Sequence, residues 1–208
     1  MQPMPGPLPM FPLGTVLFPH GVLPLHVFEP RYRALTERCL ADDGVFGVVL
    51  IERGSEVGGG DHRFDVGTTA RIVQAGRLDA GRWVLMTVGE RRVRVSQWLP
   101  DDPYPIADVE VLDEHGGEAA TVLIPDIGRA LHRLLALRTE LGEPGPGVDV
   151  TLADDAVRAS FEACALASLG PLDAQQLLET DDTAERLTRL AALLDEESAV
   201  LELRLAEG

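Results

Sequence analysis

The chain has 208 residues, 45% of them hydrophobic, with 34 acids against 18 bases and a formal net charge of −16 at pH 7. Every base is an arginine; no lysine occurs. That composition supports a globular core. It excludes a G-x-x-x-x-G-K-[ST] phosphate loop, whose lysine must reach the phosphates, and equally a Schiff-base lysine or a Ser-Lys dyad. The acidity argues against a general affinity for nucleic acid or for anionic membrane surfaces.

Met1–Pro9 has four prolines and no basic segment, so it does not read as a secretory signal. Apolar stretches such as Val45–Ile51 and Leu187–Leu194 are too short or too broken to span a bilayer. The chain therefore reads as cytoplasmic, and Cys39 and Cys164 as small buried hydrophobes rather than a disulfide.

Residues 1–115 carry 16 acids and 11 bases, net −5, and residues 116–208 carry 18 acids and 7 bases, net −11. The hydrophobic periodicity changes at the same place, which predicts two subdomains. In the first, Met10–Leu13, Thr15–Phe18 and Val22–Val27 are short extended segments, and Pro24 marks an edge or bulge position. Pro30 suits the first position of a helix running to about Ala41, with Gly44 as its left-handed stop. Tyr32, Leu35, Cys39 and Leu40 share its inner face. Phe46–Glu52 reads as a strand buried on both faces, Gly58–Asp61 as a loop and Val66–Ala75 as a strand. Arg82–Val88 and Arg91–Gln97 read as a hairpin around Gly89-Glu90, followed by a strand at Ile106–Leu112. About six short strands with one helix predict a small closed or half-closed barrel.

The second part is helical. Pro125–Leu141 is amphipathic, with Ile127, Leu131, Leu134 and Leu135 on one stripe. A loop at Gly142–Gly147 leads to a helix from Thr151 that stops at Gly170-Pro171. Asp173 with Gln176, and Asp182 with Glu185, form capping-box patterns for a short helix and for a last helix, Thr183–Ala206. Leu187, Leu190, Leu194, Leu201 and Leu205 line the last helix; beyond Ala199 the stripe suits either packing in the bundle or self-association.

Leu8-Pro9-Met10-Phe11-Pro12-Leu13, then Val16-Leu17-Phe18-Pro19, then Leu23-Pro24-Leu25-His26-Val27-Phe28-Glu29-Pro30-Arg31-Tyr32 closely resemble the opening of the amino-terminal, substrate-binding domain of Lon proteases. That family reads L-P-L-F-P-L, V-L-F-P-G and L-P-L-x-I-F-E-P-R-Y. Here Met10 replaces a leucine, and His20 stands between Pro19 and Gly21. Phe46-Gly47-Val48, Val66-Gly67-Thr68-Thr69-Ala70, Gly89-Glu90-Arg91-Arg92 and Ala184-Glu185-Arg186-Leu187 match later segments, so the likeness covers almost the whole chain. The resemblance implies an α+β fold: a PUA-like β-barrel at 8–115, followed by a helical bundle at 119–206 that ends in a long helix. It also implies engagement of polypeptide substrates. Without lysine the chain supplies neither the nucleotide-binding lysine nor the catalytic dyad of full-length Lon, so it reads as a stand-alone, non-catalytic member.

Each motif has a structural use as well. Phe28-Glu29-Pro30-Arg31-Tyr32 reads as a locked helix start, with Phe28 and Tyr32 in the core and Glu29 at the cap. Arg91, Arg92 and Arg94 read as a solvated strand face paired with acids such as Asp101 and Asp102; the alternative is a PUA-like RNA-binding patch. The doublets Asp42-Asp43, Asp101-Asp102, Asp154-Asp155 and Asp181-Asp182 read as caps and turns rather than paired catalytic carboxylates. Five scattered histidines lack zinc spacing, and Gly54-Ser55-Glu56 is no nucleophile elbow. No catalytic residue, metal or cofactor is expected. The expected partners are unfolded or exposed polypeptide segments, with a Lon protease itself as partner in an adaptor role. They would be held in a groove between barrel and bundle, or along a strand edge by Val22, Leu23, Pro24, Leu25, Phe28, Arg31 and Tyr32.

Overall fold

The structure is a computed structural model that describes residues 2–4, 6–53, 62–145 and 147–207. The loops expected at Gly58–Asp61 and Gly54–Glu56, and Pro146 of the loop at Gly142–Gly147, lie outside the described residues. The fold is mixed α and β, in two compact units, Met1–Asp113 and Glu114–Gly208.

The first unit is built on one sheet: β1 (Gln2–Pro3), β2 (Leu8–Leu13), β3 (Val22–Val27), β4 (Val45–Arg53), β5 (His62–Arg77), β6 (Trp83–Leu99) and β7 (Ile106–Val111), with α1 (Pro30–Leu40) between β3 and β4. The order is β1-β7-β2-β4-β5-β6-β3, and β7 also pairs with β6. The pairings β2-β4-β5-β6-β7-β2 therefore return on themselves, while β3 hangs on β6 alone. β2 and β4 are parallel, Met10 opposite Gly47 and Leu13 opposite Leu50. β4 alternates between two apolar clusters: Phe46 and Val48 pack with Phe11, Tyr32 and Leu35, and Val45 and Val49 pack with Met10, Val93 and Val109. Burial on both faces explains its unbroken apolar run.

Helix α1 starts at Pro30 as expected and ends where Gly44, at φ 77°, donates its N–H to the Cys39 carbonyl at 2.9 Å. Tyr32, Leu35 and Cys39 are buried; Leu40 is exposed, contrary to the expected inner face. Thr15–Phe18 is not a strand.

The expected hairpin at Gly89-Glu90 does not exist: β6 runs through it as one strand of 17 residues. It pairs with β5 from Trp83 to Arg94; on its other edge β3 pairs as far as Val88 and β7 from Val93 onward. Gly89 follows the last residue paired with β3 and stays paired with Ala70 of β5. It donates to the Gly21 carbonyl at 2.9 Å and accepts from His20 N–H at 2.7 Å. A Cβ there would overlap the Phe18 carbonyl oxygen. The glycine permits a close backbone crossing rather than a turn.

The second unit contains α2 (Gly117–Ala120), a 3-10 turn (Thr121–Leu123), α3 (Ile124–Glu140), α4 (Ala156–Ala167), α5 (Pro171–Glu179) and α6 (Thr183–Glu207). The expected stripe of α3 is buried, as are Leu187, Leu190, Leu194 and Leu201 of α6; each buried leucine stabilises by about 1.5–3 kcal/mol. α4 begins at Ala156 rather than Thr151, because the Asp155 carboxylate accepts from Arg158 N–H at 2.8 Å and fixes the start. It stops at Ser168, left-handed at φ 47°, not at Gly170. The expected Asp173 cap is absent, since Gly170 is the N-cap of α5 and Pro171 its first residue. Asp182 does cap α6, accepting from Glu185 N–H at 2.9 Å. At the far end of α6, Leu201 is buried while Val200 and Leu203 are exposed. No helix among the described residues is long and apolar enough to cross a membrane.

Candidate functional site

The residues singled out around β3 divide between the two sides of that strand. Val22, Pro24 and His26 point to solvent; Leu25 and Val27 point inward, and Leu23 is half-buried against the same core. Val22 is 62% exposed. Across the register Val22 lies opposite Val88, Pro24 opposite Met86 and His26 opposite Val84. Directly opposed residues share a face, so the outer surface carries an apolar row that passes from β3 onto β6. Met86 is itself exposed, and so is Val73, in the bulge of β5 beside the residue that pairs with Met86. Sequence reasoning named only the β3 half of this row. The unbroken apolar run Val84-Leu85-Met86, with Val88 beyond Thr87, was the available signal.

A hollow of about 170 Å³ lies along β3, lined from both faces of the strand. Phe11 and Leu13 of β2 form one wall; Pro24, Leu25, His26 and Val27 of β3 form another. Phe28, Glu29 and Tyr32, at the entry to α1, complete it. Tyr32 is buried and stacks on Phe11, ring centroids 4.0 Å apart and planes within 9°. Arg31 lies over the other aromatic surface, 4.5 Å from the Tyr32 centroid, and its Nε donates to Glu29 Oε2 at 3.1 Å. Two expectations for this segment fail. Phe28 is 56% exposed rather than in the core, and Glu29 makes no side-chain cap because its carboxylate is turned to Arg31. An exposed phenylalanine beside an aromatic hollow is the site's least structural feature.

The arginine cluster on β6 also departs from expectation. Arg92 is 1% exposed, one Nη reaching the Asp113 carbonyl at 3.4 Å; Arg94 is half-buried and Arg91 exposed. Asp101 pairs with Arg63 instead, at 3.8 Å. A buried arginine cannot serve a phosphate-binding surface. Of the acidic doublets, Asp43 accepts from Val45 N–H at 3.0 Å and Asp42 pairs with Arg38 at 3.2 Å, both local structural roles.

Both cysteines are free and buried. Burial pushes each thiol up to about 12, with Asp43 adding to the effect at Cys39 and Arg186 opposing it at Cys164. Thiolates are the reactive form. A disulfide-exchange reagent at pH 8 is therefore expected to titrate neither thiol in the native protein and both once denaturant is added; prompt native labelling would contradict the burial. The sign for stability is the same at both sites. Their contribution is fully present below the ordinary thiol value and is lost as pH rises from there toward 12.

The family model of the ATP-dependent protease La (LON) substrate-binding domain matches residues 7–196. Lon protease 2 of Herpetosiphon aurantiacus is 31% identical over 204 residues, covering 94% of this chain and 24% of the relative. Lon protease of Anaeromyxobacter dehalogenans is 30% identical over 218 residues, covering 97% of this chain and 24% of the relative. The chain thus spans 24% of the length of each of these two. The crystal structure of a Lon N-terminal domain protein from Xanthomonas campestris superposes with a TM-score of 0.63 at 28% identity, over 90% of this chain and 98% of that one. The N-terminal domain of Mycobacterium avium complex Lon protease does so with a TM-score of 0.62 at 21% identity, over 93% and 98%, a likeness of fold alone.

Proposed function

The chain belongs to the LON substrate-binding domain family, and we propose that it is a non-catalytic polypeptide-binding protein that captures exposed apolar segments of unfolded clients. The observation that carries this reading is the surroundings of β3: an apolar row on its solvent face, and along the strand an aromatic hollow with Phe28 exposed at the rim. A folded protein hides such surface unless something covers it in use. The match is to the substrate-binding part of Lon, not to its catalytic part. In the same proposal 8–115 is a PUA-like barrel, a reading supported by the ring of strand pairings, and 119–206 is the helical bundle of one Lon N-terminal-type domain working in the cytoplasm. The RNA-binding alternative has less behind it, since Arg92 is withdrawn from the surface and the chain carries −16.

The test is fluorescence anisotropy of a labelled, permanently unfolded polypeptide, with its folded parent and a single-stranded RNA as controls. Saturable binding to the unfolded chain alone is expected. The variant Phe28→Ser, at an exposed position, is expected to bind about tenfold more weakly, equivalent to about 1.4 kcal/mol of lost contact. Failure of the wild-type protein to bind would sink general capture. Binding only to a purified Lon protease would favour the adaptor role, and RNA binding would restore the alternative.

A further inference from the structure

Resting on the polypeptide-binding reading, we propose that the client is held as an added strand along the open edge of β3. Its backbone bonds at Val22 and His26, and one large apolar side chain enters the hollow. β3 ends the sheet, and no strand pairs with its outer edge among the described residues. The register decides which backbone groups that edge offers. Gly89 N–H donates to the Gly21 carbonyl, so the residues bonded to β6 are Gly21, Leu23, Leu25 and Val27. In an antiparallel pair the intervening residues turn their polar groups the other way. Val22 and His26 therefore each present an N–H and a carbonyl to the open edge, while Pro24 presents a carbonyl only.

Those groups select an extended backbone. A helix satisfies its own N–H and C=O groups internally and has none to exchange; an extended segment has one set on every second residue. Side chains follow the same alternation. A client residue opposite Pro24 points to the outer row beside Met86, and one opposite Leu25 points inward, to the side of Phe11 and Tyr32. The hollow has room for a single leucine-sized or phenylalanine-sized side chain, which makes that residue the anchor. Charge biases the flanks: residues 1–115 carry net −5, which favours basic or neutral neighbours of the anchor over acidic ones.

Proline at positions 22 and 26 tests the arrangement. The N–H groups of these residues are not used by β6, so Val22→Pro and His26→Pro remove edge donors while leaving the β3–β6 pairing in place. Each variant, checked by circular dichroism and thermal unfolding, is titrated with the same labelled unfolded polypeptide. Tenfold or greater loss of affinity in folded variants is expected. Unchanged affinity in both would overturn strand addition while leaving polypeptide binding standing. Where a variant does not fold, the wild-type protein is titrated with N-methylated copies of the shortest binding peptide cut from that polypeptide. Alternating strong and negligible losses along the peptide support the added strand. A uniform or absent effect overturns it.

Discussion

Arg186→Ala is expected to destabilise the protein by about 3–5 kcal/mol, the usual result of removing one partner from a buried charged network. Arg186 is fully buried at the start of α6. One Nη donates to Ser160 Oγ of α4 at 2.8 Å; the other donates to the Thr180 carbonyl at 2.7 Å and to Glu114 Oε2 at 2.9 Å. Its guanidinium lies 3.9 Å from the centre of the Phe161 ring. One planar fork thus ties α4, the α5–α6 connection and the start of the second unit to α6, and lysine, a single ammonium, cannot reproduce it. Urea unfolding should show the loss as a lower midpoint with an unchanged slope. Arg186→Lys should recover less than half of it. Glu114→Gln should cost less than Arg186→Ala, since the Glu114 side chain keeps access to water. If Arg186→Ala cost under about 1 kcal/mol, the value of an ordinary surface pair, the network would not be what holds these segments together.

Arg186 also shows where sequence reading reaches its limit. Glu185-Arg186-Leu187 was legible as part of a family pattern, and Leu187 as a core position by its spacing. Nothing in the local pattern says that the arginine between a cap and a leucine stripe is buried, because its partners lie 26 and 72 residues away. Arg92 was missed for the same reason: alternation says that it faces away from Val93, not that this other face is also covered. What was legible came from local rules. Pro30 marked the start of α1, Gly44 its stop, Asp182 the cap of α6, and the apolar run of β4 its burial on both faces. Around the site, Pro24 marks an edge or a bulge, and the structure decides for the edge, with β3 at the end of the sheet. Phe28 reads as core from the sequence because hydrophobicity alone does not distinguish a buried phenylalanine from one at a rim. Phe11, Leu13, Val84 and Met86 joined the site only through long-range pairing.

The same long-range logic makes Gly89 the position where stability and binding should fail together. Glycine and a polar neighbour in a strand pattern suggested a turn, but the constraint on Gly89 comes from chain 68–71 residues earlier, where Phe18 and Gly21 cross it. A methyl group on Gly89 meets the Phe18 carbonyl, a backbone atom that cannot rotate away, and Leu17 behind it. Nor can that crossing segment yield freely, since Thr68 Oγ donates to the Leu17 carbonyl at 2.6 Å and Leu17 is itself in the core. Gly89→Ala is therefore expected to cost about 3 kcal/mol, at the upper end of overpacking penalties. Gly76→Ala, in β5 with its nearest neighbour 3.9 Å away, should be near neutral and serves as the control. The crossing segment leads directly into β3, so displacing it shifts the edge proposed to hold the client. In the fraction of Gly89→Ala that remains folded, affinity for unfolded polypeptide should fall, whereas Gly76→Ala should bind like the wild type. A Gly89→Ala protein that lost stability but bound with full affinity would place the client elsewhere than on β3.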